Sequence, residues 1–114
     1  MENKDYSQTN PKATFYACLY PELRQIAIKH GYALAIHGSM ARDLDLIAVA
    51  WTENPSHYEV MFEEMAKEIG GTIFELNAPH KDVSKPHGRI CYTLSILGDW
   101  FIDLSIIPPR DGGF

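Results

Sequence analysis

Asp43 and Asp45 alternate with Leu44 and Leu46, and from Leu46 to Ala50 every position is apolar. Alternation at period two marks a β-strand, and a stretch apolar on both faces marks one buried inside a sheet. Residues 43–51 therefore predict a central strand. Tyr32 to His37 predicts the strand before it, with Gly38-Ser39 as the turn between them. From about Thr14 to His30 the period changes: Leu19, Leu23, Ile26, Ala27 and His30 recur at three- and four-residue steps, one apolar helical face, and Gly31 stands at the C-cap position. Pro21 fits either the first turn of a helix that begins near Tyr20, the reading favoured here, or a kink inside a longer helix.

Ser56-His57-Tyr58-Glu59 has the S-x-x-E form of a capping box, and Tyr58, Met61, Met65 and Ile69 follow at helical spacing until Gly70-Gly71. Thr72 to Leu76 predicts a short strand and Asn77 to His87 a polar loop. Arg89 to Leu97 and Trp100 to Ile107 predict two further strands, joined at Gly98-Asp99 by a tight type II′ hairpin turn and stopped by Pro108-Pro109. The order α-β-β-α-β-β-β predicts an α+β fold, a mixed β-sheet with two main helices packed against it. Residues 1–12 read as a flexible arm, 13–109 as a single domain and 110–114 as a tail.

A chain of 114 residues has room for one core. Its net charge of −5 argues against a general nucleic-acid-binding surface. The longest apolar run is too short to cross a bilayer and the first thirty residues carry no leader pattern, so the expected location is the cytoplasm and no membrane partner is expected. Cys18 and Cys91 form neither a C-x-x-C pair nor a disulfide framework and read as small buried residues. Trp51 and Trp100 read as core aromatics rather than a base-stacking platform.

The candidate chemistry lies in the carboxylates. On a strand, Asp43 and Asp45 point to one face, about 7 Å apart along the chain. Two carboxylates at the mouth of a buried strand repel each other unless a cation lies between them, and magnesium prefers carboxylate, phosphate and water oxygens. A third acid is expected from a neighbouring strand. Asp103 answers that description, since it is the one charge in the apolar strand Phe101-Ile102-Asp103-Leu104-Ser105-Ile106.

Gly38-Ser39, Asp43-Leu44-Asp45-Leu46 and the downstream Asp103 together resemble the signature of the polymerase-β-like nucleotidyltransferase superfamily. The run Gly38-Ser39-Met40-Ala41-Arg42 is similar to the Gly-Ser-x-Ala-Arg common in its minimal, single-domain members, and the chain also resembles small uncharacterised phage proteins with this pattern. The resemblance covers roughly Tyr20 to Ile107. It implies Gly38 and Ser39 at nucleotide phosphates, Asp43 and Asp45 at two magnesium ions, and Asp103 as third ligand or base. It also implies a nucleoside triphosphate substrate, an unknown hydroxyl acceptor and, for a phage protein, the host cytoplasm. Only Met40, Ala41 and Arg42 separate Ser39 from Asp43, where that family has several more residues. The alternative is therefore a catalytically inactive nucleotide-binding or protein-interaction module on the same fold, and a partner chain in an oligomer has room to complete so short a site.

Lys85-Pro86-His87-Gly88-Arg89 brings two cations and an imidazole toward the hairpin that carries Asp103. Arg42, Lys85, His87 and Arg89 join Gly38 and Ser39 as candidate phosphate contacts, Arg as a bidentate group and Lys as a point charge. His80, His87 and Cys91 match no standard zinc spacing and lack a fourth ligand. His37 reads as a hydrogen-bonded structural histidine.

Overall fold

The computed structural model describes residues 11–70, 72–73, 90–96 and 100–109, of which 72–73 are described by backbone alone. Its elements are α1 (Pro11–Lys29), β1 (Tyr32–His37), β2 (Asp43–Ala50), α2 (Tyr58–Ile69), β3 (Thr72–Ile73), β4 (Ile90–Ile96) and β5 (Trp100–Ile107). The fold is α+β, and the element order is the one the periodicities predict. The strands form one sheet in the order β1-β2-β5-β4-β3. β2 and β5 run parallel while β1–β2, β4–β5 and β3–β4 are antiparallel, so the sheet is mixed. No helix among the described residues is long and apolar enough to cross a membrane.

One face of the sheet is the core face. Leu44, Leu46 and Ala48 from β2 and Ile102, Leu104 and Ile106 from β5 are at most 1% exposed. Against them pack Tyr16, Leu23, Ile26 and Ala27 of α1 and Tyr58, Met61, Phe62 and Met65 of α2. Each such Leu or Ile contributes about 1.5–3 kcal/mol by leaving water. Because strand side chains alternate, burying these residues turns Asp43, Asp45 and Asp103 to the face away from the helices.

The first helix departs from the reading of the sequence. It begins at Pro11 rather than near Tyr20, so Pro11 and Lys12 belong to it and not to an arm, and Pro21 lies inside it. An interior proline forfeits a backbone hydrogen bond and crowds the preceding turn. Here the helix is anchored on both sides of that point, by Tyr16 before it and by Leu23, Ile26 and Ala27 after it, while Pro21 itself faces solvent. Gly31 follows as expected, with φ +92°. A Cβ there would come within 2.4 Å of the Thr52 hydroxyl oxygen and 2.9 Å of the Pro55 Cα, so only glycine fits.

The cap of α2 also differs. His57, not Ser56, is the N-cap, and its Nδ1 accepts the Glu59 N–H at 3.1 Å. The Ser56 hydroxyl is taken instead by buried His30, 2.8 Å from its Nδ1. Gly70 closes the helix in the left-handed conformation. Two further expectations are corrected. Trp51 is 76% exposed rather than in the core, because β2 ends at Ala50 and leaves the indole beyond the sheet. Cys18 is exposed rather than buried, because it projects from α1 away from the Tyr16–Leu23 side, and Cys91 is half-buried. Trp100 packs edge-on against Phe15, ring centroids 4.7 Å apart. The Gly98-Asp99 turn, residues 74–76, the 1–10 arm and the 110–114 tail lie outside the described residues.

Candidate functional site: an acidic row across the sheet

β2 and β5 come from distant parts of the chain, yet their parallel pairing sets Asp45 directly beside Asp103 and Asp43 beside Phe101. The register extends the row in both directions, from Asp45 to His37 on β1 and from Asp103 to Thr93 on β4. His37, Asp45, Asp103 and Thr93 thus form a line of polar residues across four strands. Side chains paired in this way lie about 5 Å apart.

The three aspartates are half-buried. Asp103 accepts a hydrogen bond from the Thr93 hydroxyl, Oγ1 to Oδ1 at 2.8 Å. Its pKa is raised above the ordinary carboxyl value, chiefly by burial and further by the charges of Asp43 and Asp45 and a hydrogen bond with Asp45, against the lowering effect of Thr93. None of the salt bridges among the described residues involves these acids; they join Lys29 and His30 to Glu64 and His57 to Glu59.

The turn before β2 is built against this row. Gly38 has φ +78°, and a Cβ on it would lie 2.9 Å from Asp45 Oδ2, so the missing side chain is what lets the Asp45 carboxylate sit against the turn. Ser39 Oγ accepts the Ala41 N–H at 3.1 Å, which closes the link on itself. Met40 has φ 60°, a left-handed conformation that costs a non-glycine residue about 1–2 kcal/mol. Its side chain packs against the core, which holds the short link in place.

Tyr16 reaches the same place from α1. Wholly buried, it donates its hydroxyl hydrogen to the Arg42 carbonyl at 2.9 Å and accepts the Phe101 N–H at 3.0 Å. Its pKa is raised, first by burial, with the Phe101 N–H lowering it and the charges of Asp43, Asp103 and Asp45 raising it further. The sequence signal for Tyr16 was a helix long enough to include it, which the proline at 21 obscured. Thr93 had a signal too, a polar residue at an alternate position of an apolar strand.

The structure thus gathers Gly38, Asp43, Asp45 and Asp103 at one end of the sheet, with Ser39 and Arg42 in the link beside them. The Arg42 side chain is exposed. His37 is exposed at the end of β1 and, among the described residues, makes none of the hydrogen bonds the sequence reading gave it. Lys85, His87 and Arg89, together with His80, lie outside the described residues. A hollow of about 300 Å³ lined by Arg24, Ile28, Tyr32, Leu34, Trp51 and Thr52 sits at the other end of β1 and β2, away from the acids.

The donor set suits a hard divalent cation, since it is all carboxylate oxygen and none of the salt bridges among the described residues pairs its charge. The coordination shell is not assembled in advance: among the described residues no three His, Cys, Asp or Glu side chains are grouped closely enough to hold an ion as they stand. Comparison with protein families, with curated proteins and with solved structures returned no match.

Proposed function

We propose that the acidic end of the sheet binds magnesium together with the triphosphate of a nucleotide, and that the protein is a minimal nucleotidyltransferase-like protein. The observation that carries this reading is the side-by-side placement of Asp45 and Asp103 on neighbouring parallel strands, uncompensated by any described cation and packed against the Gly38-Ser39 turn. Asp43, Asp45 and Asp103 hold the ions. The Gly38 and Ser39 amides, in a tight turn, offer N–H groups to phosphate oxygens, and the exposed Arg42 guanidinium is free to pair with the same group. Bound magnesium would neutralise the charges of the triphosphate and of the carboxylates.

In a transfer reaction the acceptor hydroxyl oxygen forms a bond to the α-phosphorus. The bond from that phosphorus to the leaving pyrophosphate breaks, and the hydroxyl proton passes to Asp103. A second reading, nucleotide binding without turnover, is favoured by the link itself. Ser39 spends its hydroxyl on Ala41, and only three residues separate it from Asp43.

Thermal unfolding with magnesium and ATP tests both. Saturation at a hundredfold over Kd stabilises the fold by about 2.7 kcal/mol. That shift, its loss in Asp43→Ala and release of pyrophosphate support the enzyme; the shift without pyrophosphate supports the binder. No shift at millimolar magnesium and ATP overturns the site.

A further inference from the structure

We propose that Tyr16 is a positioning residue that fixes the spacing of the two acidic strands. Its importance for cation binding rests on the function proposed above; its importance for the spacing does not. Asp43 and Asp103 belong to strands paired only through their own ladder, and the ladder begins at Asp43 and Phe101. One residue before that start, the Arg42 carbonyl is gripped by the Tyr16 hydroxyl, and the same hydroxyl receives the Phe101 N–H. A hydroxyl donates once and accepts on its lone pairs, so one oxygen ties both chains together at the end where the acids stand.

The tie is stiff for two reasons. Tyr16 is wholly buried, so no water competes for its hydroxyl. Its ring packs against the Phe15–Trp100 pair, with centroids 6.1 and 5.9 Å from theirs. Trp100 immediately precedes Phe101 and Phe15 immediately precedes Tyr16, so the aromatic cluster adjoins both the tyrosine and one of the two groups it bonds. A helix turn that lies on the core face thereby sets the geometry of carboxylates on the opposite face, without touching anything they would bind. Tyr20, four residues on, offers the internal contrast. Its hydroxyl also bonds a strand carbonyl, that of Leu34 on β1, but on the edge strand and away from the acids.

The experiment compares Tyr16→Phe with Tyr20→Phe, each removing one oxygen. Amide shifts of Asp43, Asp45 and Asp103 are followed by NMR, and Mn²⁺ affinity by calorimetry. The expected result is that Tyr16→Phe moves the amides of all three aspartates and weakens Mn²⁺ binding about tenfold, as loss of a residue that orients metal ligands does. Tyr20→Phe should do neither. A perturbation confined to Arg42 and Phe101, or an affinity within twofold of the parent, overturns the proposal. If the parent chain binds no Mn²⁺, the functional reading fails and the amide shifts alone decide the positioning role. A measurement on the parent chain covers a variant that does not fold: Mg²⁺ should shift the Phe101 amide together with those of Asp45 and Asp103, and a Phe101 amide that stays still while they move overturns the tie.

Discussion

Two polar clusters sit at opposite ends of this sheet, and they are built on different terms. Where α1 ends and α2 begins, His30 is 8% exposed, with Nδ1 2.8 Å from the Ser56 hydroxyl and Nε2 2.7 Å from Glu64. The other Glu64 oxygen accepts from Lys29 at 2.8 Å. The Ser56 backbone takes part as well, its N–H donating to the His30 carbonyl and its carbonyl accepting from Tyr32. The carboxyl of Glu64 is held below its ordinary pKa, first by the Lys29 hydrogen bond and then by that of His30. Every polar side chain in this network faces a complementary one. At the acidic row the opposite holds: like charges adjoin, burial pushes the Asp103 carboxyl up, and a non-glycine residue, Met40, adopts a left-handed conformation. Among the described residues, the fold balances a buried histidine and pairs none of the three aspartates with a cation. The first cluster maintains architecture; the second carries a cost that a bound cation would offset.

The contrast breaks or sharpens under three changes. The largest effect is expected from His30→Ala, which strips the balanced network of its centre and strands the Ser56 hydroxyl; urea unfolding should show a loss of about 2–3 kcal/mol. A loss below about 0.5 kcal/mol would mean the network is incidental to stability. Next comes Asp103→Asn, which keeps an acceptor for Thr93 but removes one of the crowded charges. The melting temperature at pH 7 should rise by about 4 °C, the shift that about 1 kcal/mol produces in a domain of this size. A fall instead would show that the row is already balanced in the protein.

The smallest effect is in pH dependence, and its sign differs between the clusters. The raised Asp103 pKa contributes stability that is complete below the ordinary carboxyl range and is lost as pH rises through the raised value. The lowered Glu64 pKa contributes stability present above the ordinary range and lost as pH falls through the lowered value. Melting temperatures from pH 3 to 7 should therefore lose a falling component in Asp103→Asn and a rising one in Glu64→Gln, and the same sign in both would erase the distinction.

Much of the architecture was legible because burial imposes a period. The alternation in residues 43–50 gave both the interior strand and the common face of Asp43 and Asp45, and the unbroken face Tyr58, Met61, Met65 gave α2. Where the reading failed, tertiary contacts overrode a local rule. Pro21 ends a helix only if nothing holds the turns on either side, and Tyr16 and Leu23 do hold them. Ser56 satisfies a capping pattern, but His30, distant in sequence, offers its hydroxyl another partner. The candidate site divides in the same way. Its acids were visible because charge in an apolar strand is conspicuous, whereas Tyr16 and Thr93 act through bonds whose partners lie on other elements, and a period within one element cannot report them.

Strand order adds a constraint of timing. β5, the last described strand to be synthesised, lies between β2 and β4 in the assembled sheet. Until it inserts, the earlier strands are two separate ladders with no common edge, and Asp45 has no acid on an adjacent strand. If the acidic row does bind a cation, capture and completion of the fold would be one event: a nascent chain stalled before Trp100 would lack the pairing of Asp45 with Asp103, and chelation would report the closed sheet.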